Sequence, residues 1–313
     1  MRPLILGAAA RYRPDQVSVF VSSLKKSRFE GATTLIIDRP NARLRDYLVQ
    51  NGIEVISVDL APDGMLEWMA KAARRLNRAH INLPSRMLKT GRAFVAKRLP
   101  SLYAVNLVSL LHDIARSRYI HYLRYLDRNP GRFTHILLTD VRDVAFQADP
   151  FEGAPARCLW LFRENARQRL GREPFNRSWI ETLYGARELE QIGANYITCS
   201  GTTLGSTDLI VSYLEQMTVE VIRLTPKYFG LGLGGGDQAI HNRLYRTGHF
   251  PEAELKNNYE GPVATLHYET PDEFRFDDAG RLLNFDGSPV ALLHQYDRHP
   301  ILVEKVSAQV VAL

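Results

Sequence analysis

Cysteine is nearly absent from this chain: its 313 residues hold two, Cys158 and Cys199, in separate apolar contexts and in no C-x-x-C arrangement. That excludes a disulfide-stapled fold and a cysteine-built zinc site, and both thiols are expected to be reduced core residues of a cytoplasmic protein. No run of 18 or more apolar residues occurs, which argues against a transmembrane helix. Residues 1–10 carry the small residues of a signal-peptide cleavage site, but their apolar run is short and passes at once into Arg11, Arg13 and Pro14. A first β-strand is the better reading. Internal repeats, low-complexity tracts and a strong linker are missing too. With 45% hydrophobic content, a single domain over 1–313 can bury a substantial core. Acidic residues are missing from 70–112, which holds nine Lys and Arg, so the rest of the chain is net −3 although the whole is +6. The basicity is local.

The N-terminal third alternates strand and helix patterns. Strands are expected over 3–7, 33–37 and 53–58, and helices over 15–26 and 41–51, the second with Leu44 and Leu48 at i, i+4. Such alternation implies an α/β fold with a mostly parallel sheet flanked by helices. Residues 57–82 and 86–126 read as helical, interrupted at Pro84 and Pro100, with a basic helical insertion spanning 62–128. Farther on, strands are expected over 157–162 and 194–199, and helices over 177–183, 186–192 and 208–217.

One motif dominates. The apolar run Ile136, Leu137 and Leu138 leads straight into Asp140 and Asp143, a D-x-x-D at the edge where open α/β sheets bind ligands. Paired carboxylates there suit a hard divalent cation, Mg²⁺ or Mn²⁺, which takes one or two of them and completes its shell with water and phosphate. Alone, the pattern also fits a helix cap and a surface ion pair. Residues 200–207, with Ser200, Gly201 and Thr202, read as a small polar turn before a helix, a site for an anion or a sugar hydroxyl or an ordinary capping loop. Four glycines, ending at Gly236, precede Asp237, Gln238 and Asn242, which suggests either close approach of a ligand or a connector with an Asp cap. Near the end an apolar strand runs into His294, Asp297 and Arg298, offering an imidazole for a metal and a guanidinium for phosphate.

In this order the pieces resemble the GT-A class of nucleotide-sugar-dependent glycosyltransferases, in its family 8-like branch. There a D-x-D strand holds Mn²⁺ or Mg²⁺ on a UDP- or GDP-sugar, a downstream aspartate with Gln or Asn lines the sugar site, and a late histidine completes the metal shell. The resemblance spans roughly residues 3 to 300 and implies a Rossmann-type GT-A fold, with residues 1–151 as the nucleotide-binding half and 152–313 as the half for sugar and acceptor. It implies Asp143, His294 and Asp140 as metal ligands, and Arg118, Tyr122, Asp140, Arg142 and Arg298 around the nucleotide. Asp237 and Gln238 fall to the chemistry, with Ser200, Gly201, Thr202, Gly236 and Asn242 around the sugar. The implied acceptor is a carbohydrate or glycoconjugate, with no nucleic acid as partner. One departure is material: residues three apart on a strand face opposite ways, so Asp140 and Asp143 meet one cation only if the chain turns between them. Asp143 is therefore the firmer ligand, and Asp140 is also read as a partner of the ribose or of a ligand. Two rivals are a phosphatase of the haloacid-dehalogenase type, whose later motifs are absent, and a basic nucleic-acid-binding protein, for which no RRM, KH or zinc-finger signature is present. The stretch 70–112, basic and interleaved with Leu, Ile, Met and Phe, also reads as a surface for an anionic membrane.

Overall fold

The computed structural model describes residues 2–59, 113–228 and 236–311. The strands β1 (Arg2–Ala8), β2 (Ala32–Asp38), β3 (Glu54–Val58) and β4 (Phe133–Thr139) run parallel and form one side of a seven-stranded sheet. β6 (Leu159–Arg163), β7 (Thr198–Ser206) and β8 (Ala253–Lys256) complete it in the order β3-β2-β1-β4-β7-β6-β8. β7 alone in that sheet is antiparallel to its neighbours β4 and β6. Strands from both halves of the chain therefore share one sheet, and the α/β, mostly parallel architecture is as expected.

Alternation along the central strands sorts their side chains onto two cores. Leu4, Leu6, Ile36, Ile136 and Leu138 face one, while Ile5, Leu35, Ile37 and Leu137 face the other. Both faces are covered, which is why these strands read as continuous apolar runs. Helix α1 (Pro14–Lys26) starts with proline at its first position and lays Val17, Phe20, Val21 and Leu24 onto the second core. Helix α2 (Ala42–Gln50) is capped by Asn41, whose side chain accepts from the Leu44 amide at 3.1 Å. On the first core lie α3 (Ile114–Asp127), α4 (Pro174–Tyr184), α5 (Ala186–Ile192), α6 (Thr207–Tyr228) and α7 (Asp237–Arg246). A second, three-stranded sheet joins β5 (Val144–Phe146), β10 (Leu292–His294) and β9 (Val263–Thr265). It packs through a third core on α8 (Pro300–Val311).

Three expectations need correction. Ser57 and Val58 belong to β3, not to a following helix. Asp113 is extended and caps α3 by accepting from the Arg116 amide, so the helical stretch over 86–126 is broken at Asp113 as well as at the expected Pro100; residues 62–112 of the basic insertion lie outside the described residues. Residues 200–206 are not a turn before a helix. They continue β7, pairing Thr202 with Thr139 and Leu204 with Leu137, because small and β-branched residues fit a strand held between two others. Cys158 and Cys199 are free and buried. Among the described residues no helix is long and apolar enough to cross a membrane.

Candidate metal and sugar-binding site

The chain does turn after β4. Thr139 ends the strand, Val141 points into the core, and β5 begins at Val144, so the four residues between strands bring Asp140 and Asp143 to one side. β10 runs antiparallel to β5 and pairs His294 with Val144, and the Gln295 amide donates to the Asp143 carbonyl at 2.7 Å. Topology thus delivers an imidazole from the far end of the sequence to the two aspartates. One ligand atom from each of Asp140, Asp143 and His294 lies within 4.8 Å of the others. Donors around a cation with bonds of about 2.1 Å stand roughly 3 Å apart when adjacent and roughly 4 Å apart when opposite, so small shifts close this set.

His294 supplies the clearest indication that the set is meant for a cation. Its side chain is 1% exposed, and among the described residues Nε2 has no hydrogen-bond partner although it lies 3.4 Å from Asp140 Oδ2. A buried nitrogen without a partner is costly unless something else binds it. Burial opposes charge on this imidazole, but Cys199, Asp140 and Asp143 outweigh it and raise its pKa well above the usual value. A proton there stands where a cation would, and metal binding would displace it. For Asp140 burial also opposes charge, yet Arg118 and then His294 hold the carboxyl well below the usual range. Asp143 moves the other way: burial raises it, His294 lowers it, and Asp140 and Asp297 raise it further.

Gly201 is the floor of this site. A Cβ added there would lie 2.5 Å from His294 Cε1 and 2.6 Å from Asp140 Oδ2, and the Asp140 amide donates to the Gly201 carbonyl at 2.7 Å. Glycine is required by the approach of the ligands, not by a turn. Arg142 and Arg298 approach Asp143 Oδ2 at 3.8 and 3.5 Å, and both also pair with Asp297.

Arg118, on α3, joins this corner to a second one. Its guanidinium pairs with Asp140 through one nitrogen, and through the other with Asp237 Oδ2 at 3.0 Å and the Ser200 carbonyl at 3.2 Å. Asp237 Oδ2 also accepts from Tyr119 Oη at 3.1 Å and Ser200 Oγ at 3.2 Å. Asp237 opens α7 because Gly236 takes φ +90°, which favours glycine; Gly232, Gly234 and Gly235 lie outside the described residues. The Gln238 side-chain amide donates to Glu164 at 3.0 Å and to Asn176 at 3.2 Å, while its oxygen faces the Ser200 amide at 3.4 Å.

Three residues singled out in the sequence are not brought to the cleft surface. Asn242 is 0% exposed and clamps the start of β7, accepting from the Thr198 amide and hydroxyl and donating to the Thr198 carbonyl. Tyr122 is buried in the first core with no partner for its hydroxyl, and Thr202 is enclosed in the sheet with its Oγ1 likewise unpartnered.

The structure adds residues that no local pattern announces. Glu164, just past β6 and 5% exposed, has its carboxyl pushed up to about 7 by burial, against the opposing pull of Gln238 and His294. Cys199 lies against His294. Tyr12, in the loop after β1, has its hydroxyl shifted up first by burial and then by the charges of Asp140 and Asp143. A loop tyrosine in line with a strand end was the only sequence signal for it.

No protein-family model and no curated protein matches the chain. Among solved structures it is similar to the galactosyltransferase LgtC in complex with donor and acceptor sugar analogs, at 13% identity over 97% of this chain and 95% of that one, with a TM-score of 0.44. It is also similar to a 4-diphosphocytidyl-2C-methyl-D-erythritol synthase from Anaerococcus prevotii DSM 20548, at 8% identity, 82% and 86% coverage and TM-score 0.40. A third is glucosyl-3-phosphoglycerate synthase from Mycobacterium tuberculosis, solved with Mn²⁺, UDP and glucosyl-3-phosphoglycerate, at 11% identity, 82% and 69% coverage and TM-score 0.37. At such TM-scores the likeness decides nothing about chemistry, which has to be argued from the site.

Proposed function

We propose that the chain is a metal-dependent glycosyltransferase that moves a sugar from a UDP- or GDP-sugar to a carbohydrate, lipid-linked or other glycoconjugate acceptor. The observation that carries this reading is the convergence of Asp140, Asp143 and the unpartnered His294 nitrogen at the sheet edge, tied by Arg118 to a second polar corner at Asp237 and Gln238. Two carboxylates with one imidazole suit Mn²⁺ better than an all-oxygen site would, and also accept Mg²⁺. When bound, the cation supplies charge neutralisation on the leaving diphosphate.

Every other task falls to the chain. Arg298 and Arg142, half-exposed beside Asp143, present guanidinium forks to diphosphate oxygens. Arg118 is engaged by carboxylates on both sides, so its task is to fix Asp140 and Asp237 relative to each other. Asp237 gathers its donors on Oδ2, which leaves Oδ1 for a sugar hydroxyl; Gln238, oriented by Glu164 and Asn176, stands next to it. The rings of His267 and Tyr268 stack on each other, His267 within the electrostatic reach of Arg298 and Asp297 and Tyr268 within that of Glu173 and Glu164, and we assign this pair to the acceptor.

We place the enzyme in the cytoplasm, in polysaccharide or other glycoconjugate assembly. The stretch 70–112 would rest on the anionic inner face of the membrane, where each Lys or Arg contributes about 1 kcal/mol. Flotation with anionic liposomes at low salt, lost at high salt, tests that placement. The reaction itself is tested by a donor-hydrolysis screen with Mn²⁺ against UDP-, GDP- and CMP-sugars. Metal-dependent release of UDP or GDP is expected. Turnover of phosphomonoesters with no donor consumed would place the chain with phosphatases instead.

A further inference from the structure

We propose that Cys199 is a positioning residue for His294: its sulfur accepts the Nδ1–H and so presents a bare Nε2 to the cation held with Asp140 and Asp143. The inference rests on the metal-dependent reading above and adds a residue to it. Cys199 is 2% exposed, and its Sγ lies 3.6 Å from His294 Nδ1, on the side of the ring away from the aspartates. The same sulfur receives the Gly201 amide at 3.4 Å, and its lone pairs can accept both N–H groups. A cation held on Nε2 would leave the one proton of the neutral ring on Nδ1, where the sulfur meets it. With Nδ1 donating to sulfur, the neutral imidazole keeps its lone pair on Nε2, the nitrogen that has no hydrogen-bond partner.

Room for the ring is provided separately. The imidazole lies so close to Gly201 that an added Cβ would stand 2.8 Å from Nε2, so a residue with a side chain would crowd it out. Glycine leaves the ring its place, and cysteine fixes which nitrogen carries the proton. A metal-bound histidine commonly gives its second N–H to a carboxylate or carbonyl. A thiol does this while adding no further charge beside two carboxylates.

The test is Mn²⁺ binding by the full chain without nucleotide, followed through the free-ion paramagnetic resonance signal, for the unaltered protein, Cys199→Ala and Cys199→Ser. Circular dichroism confirms the fold of each. Cys199→Ala should bind Mn²⁺ about 10-fold or more weakly, the usual scale for a residue that orients a ligand. Cys199→Ser, which keeps an acceptor, should recover most of the affinity. Undiminished affinity in Cys199→Ala would overturn the proposal, and so would equal loss in both variants, since packing volume would then be responsible. If Cys199→Ala does not fold, nitrogen resonances of His294 in the unaltered, Mg²⁺-loaded protein decide the matter, a protonated Nδ1 supporting the proposal and a bare Nδ1 overturning it. Failure of the unaltered protein to bind Mn²⁺ would remove the metal reading itself, and this inference with it.

Discussion

The two corners of the cleft differ in how far the protein satisfies itself. At the sugar corner Asp237 takes three donors, the Gln238 amide is used on both its nitrogen and its oxygen, and Asn242 behind it is fully paired with Thr198. At the metal corner His294 Nε2 has no partner, burial raises Asp143, and Arg142 and Arg298 stand at 3.8 and 3.5 Å, beyond ordinary hydrogen-bond reach. One corner is complete as built and can hold its shape before any substrate arrives. The other is a set of polar atoms whose mutual cost a cation would relieve. Arg118 belongs to both, and through it the state of one is coupled to the geometry of the other.

Removing that coupling should have the largest effect. Arg118→Met leaves Asp140 and Asp237 without their shared partner, and breaking a buried pair costs about 3 kcal/mol or more. Turnover should vanish and the denaturant midpoint should fall sharply. A variant as stable as the parent would show that the two corners are independent. Next comes Asp237→Asn, which keeps an acceptor but removes the charge. Mn²⁺-dependent nucleotide binding should persist while transfer drops about 10²-fold or more, and equal loss of nucleotide affinity would merge the two corners into one. Asn242→Ala sharpens the contrast between support and chemistry: stability should fall by about 1–3 kcal/mol as the Thr198 backbone loses its partner, with nucleotide affinity kept in the folded protein. The smallest effect is on pH. Burial lowers His121 to about 4 and His241 to about 3 from the ordinary 6.5, so below pH 6.5 the unfolded chain takes protons that the folded chain refuses, and stability falls. Glu164, raised to about 7, acts oppositely and favours the fold as pH drops from 7 toward 4.5. The raised His294 and Asp143 act with Glu164 against the two lowered histidines, so the test is made by variant: Glu164→Gln should lower the Tm at pH 5 relative to pH 7 further than in the unaltered protein by calorimetry, and an unchanged difference would contradict the assignment.

Local pattern carried the βαβ start of the fold to within a residue or two, because Leu4–Leu6, Leu35–Ile37 and the α1 stripe are period signals that packing does not override. It also carried residues 186–192 as a helix, bounded by Gly185 and Gly193. It failed at β7, where Ser200, Gly201 and Gly205 look like turn residues. Their smallness serves close approach instead: of the metal corner to Gly201, and of the Cys158 carbonyl to Gly205. Asp140 and Asp143 were legible as a pair, but the turn that brings them together depends on Val141 burying itself in the core. Asn242 looked like a ligand residue because it follows an aspartate on a helix, and only the neighbouring strand reveals that it is a clamp. Glu164 and Cys199 gave no signal, since each is a single polar residue beside an apolar run whose partners come from distant segments.

The central claim is that the unsatisfied corner holds a cation for a nucleoside diphosphate. Isothermal titration of UDP and of GDP, with and without Mn²⁺, into the unaltered protein and into Asp143→Asn tests it most directly. One of the two nucleotides should bind more tightly with Mn²⁺ in the unaltered protein, and that gain should be lost in Asp143→Asn while the fold is kept. Nucleotide affinity that ignores Mn²⁺, or that is unchanged in Asp143→Asn, would contradict the account.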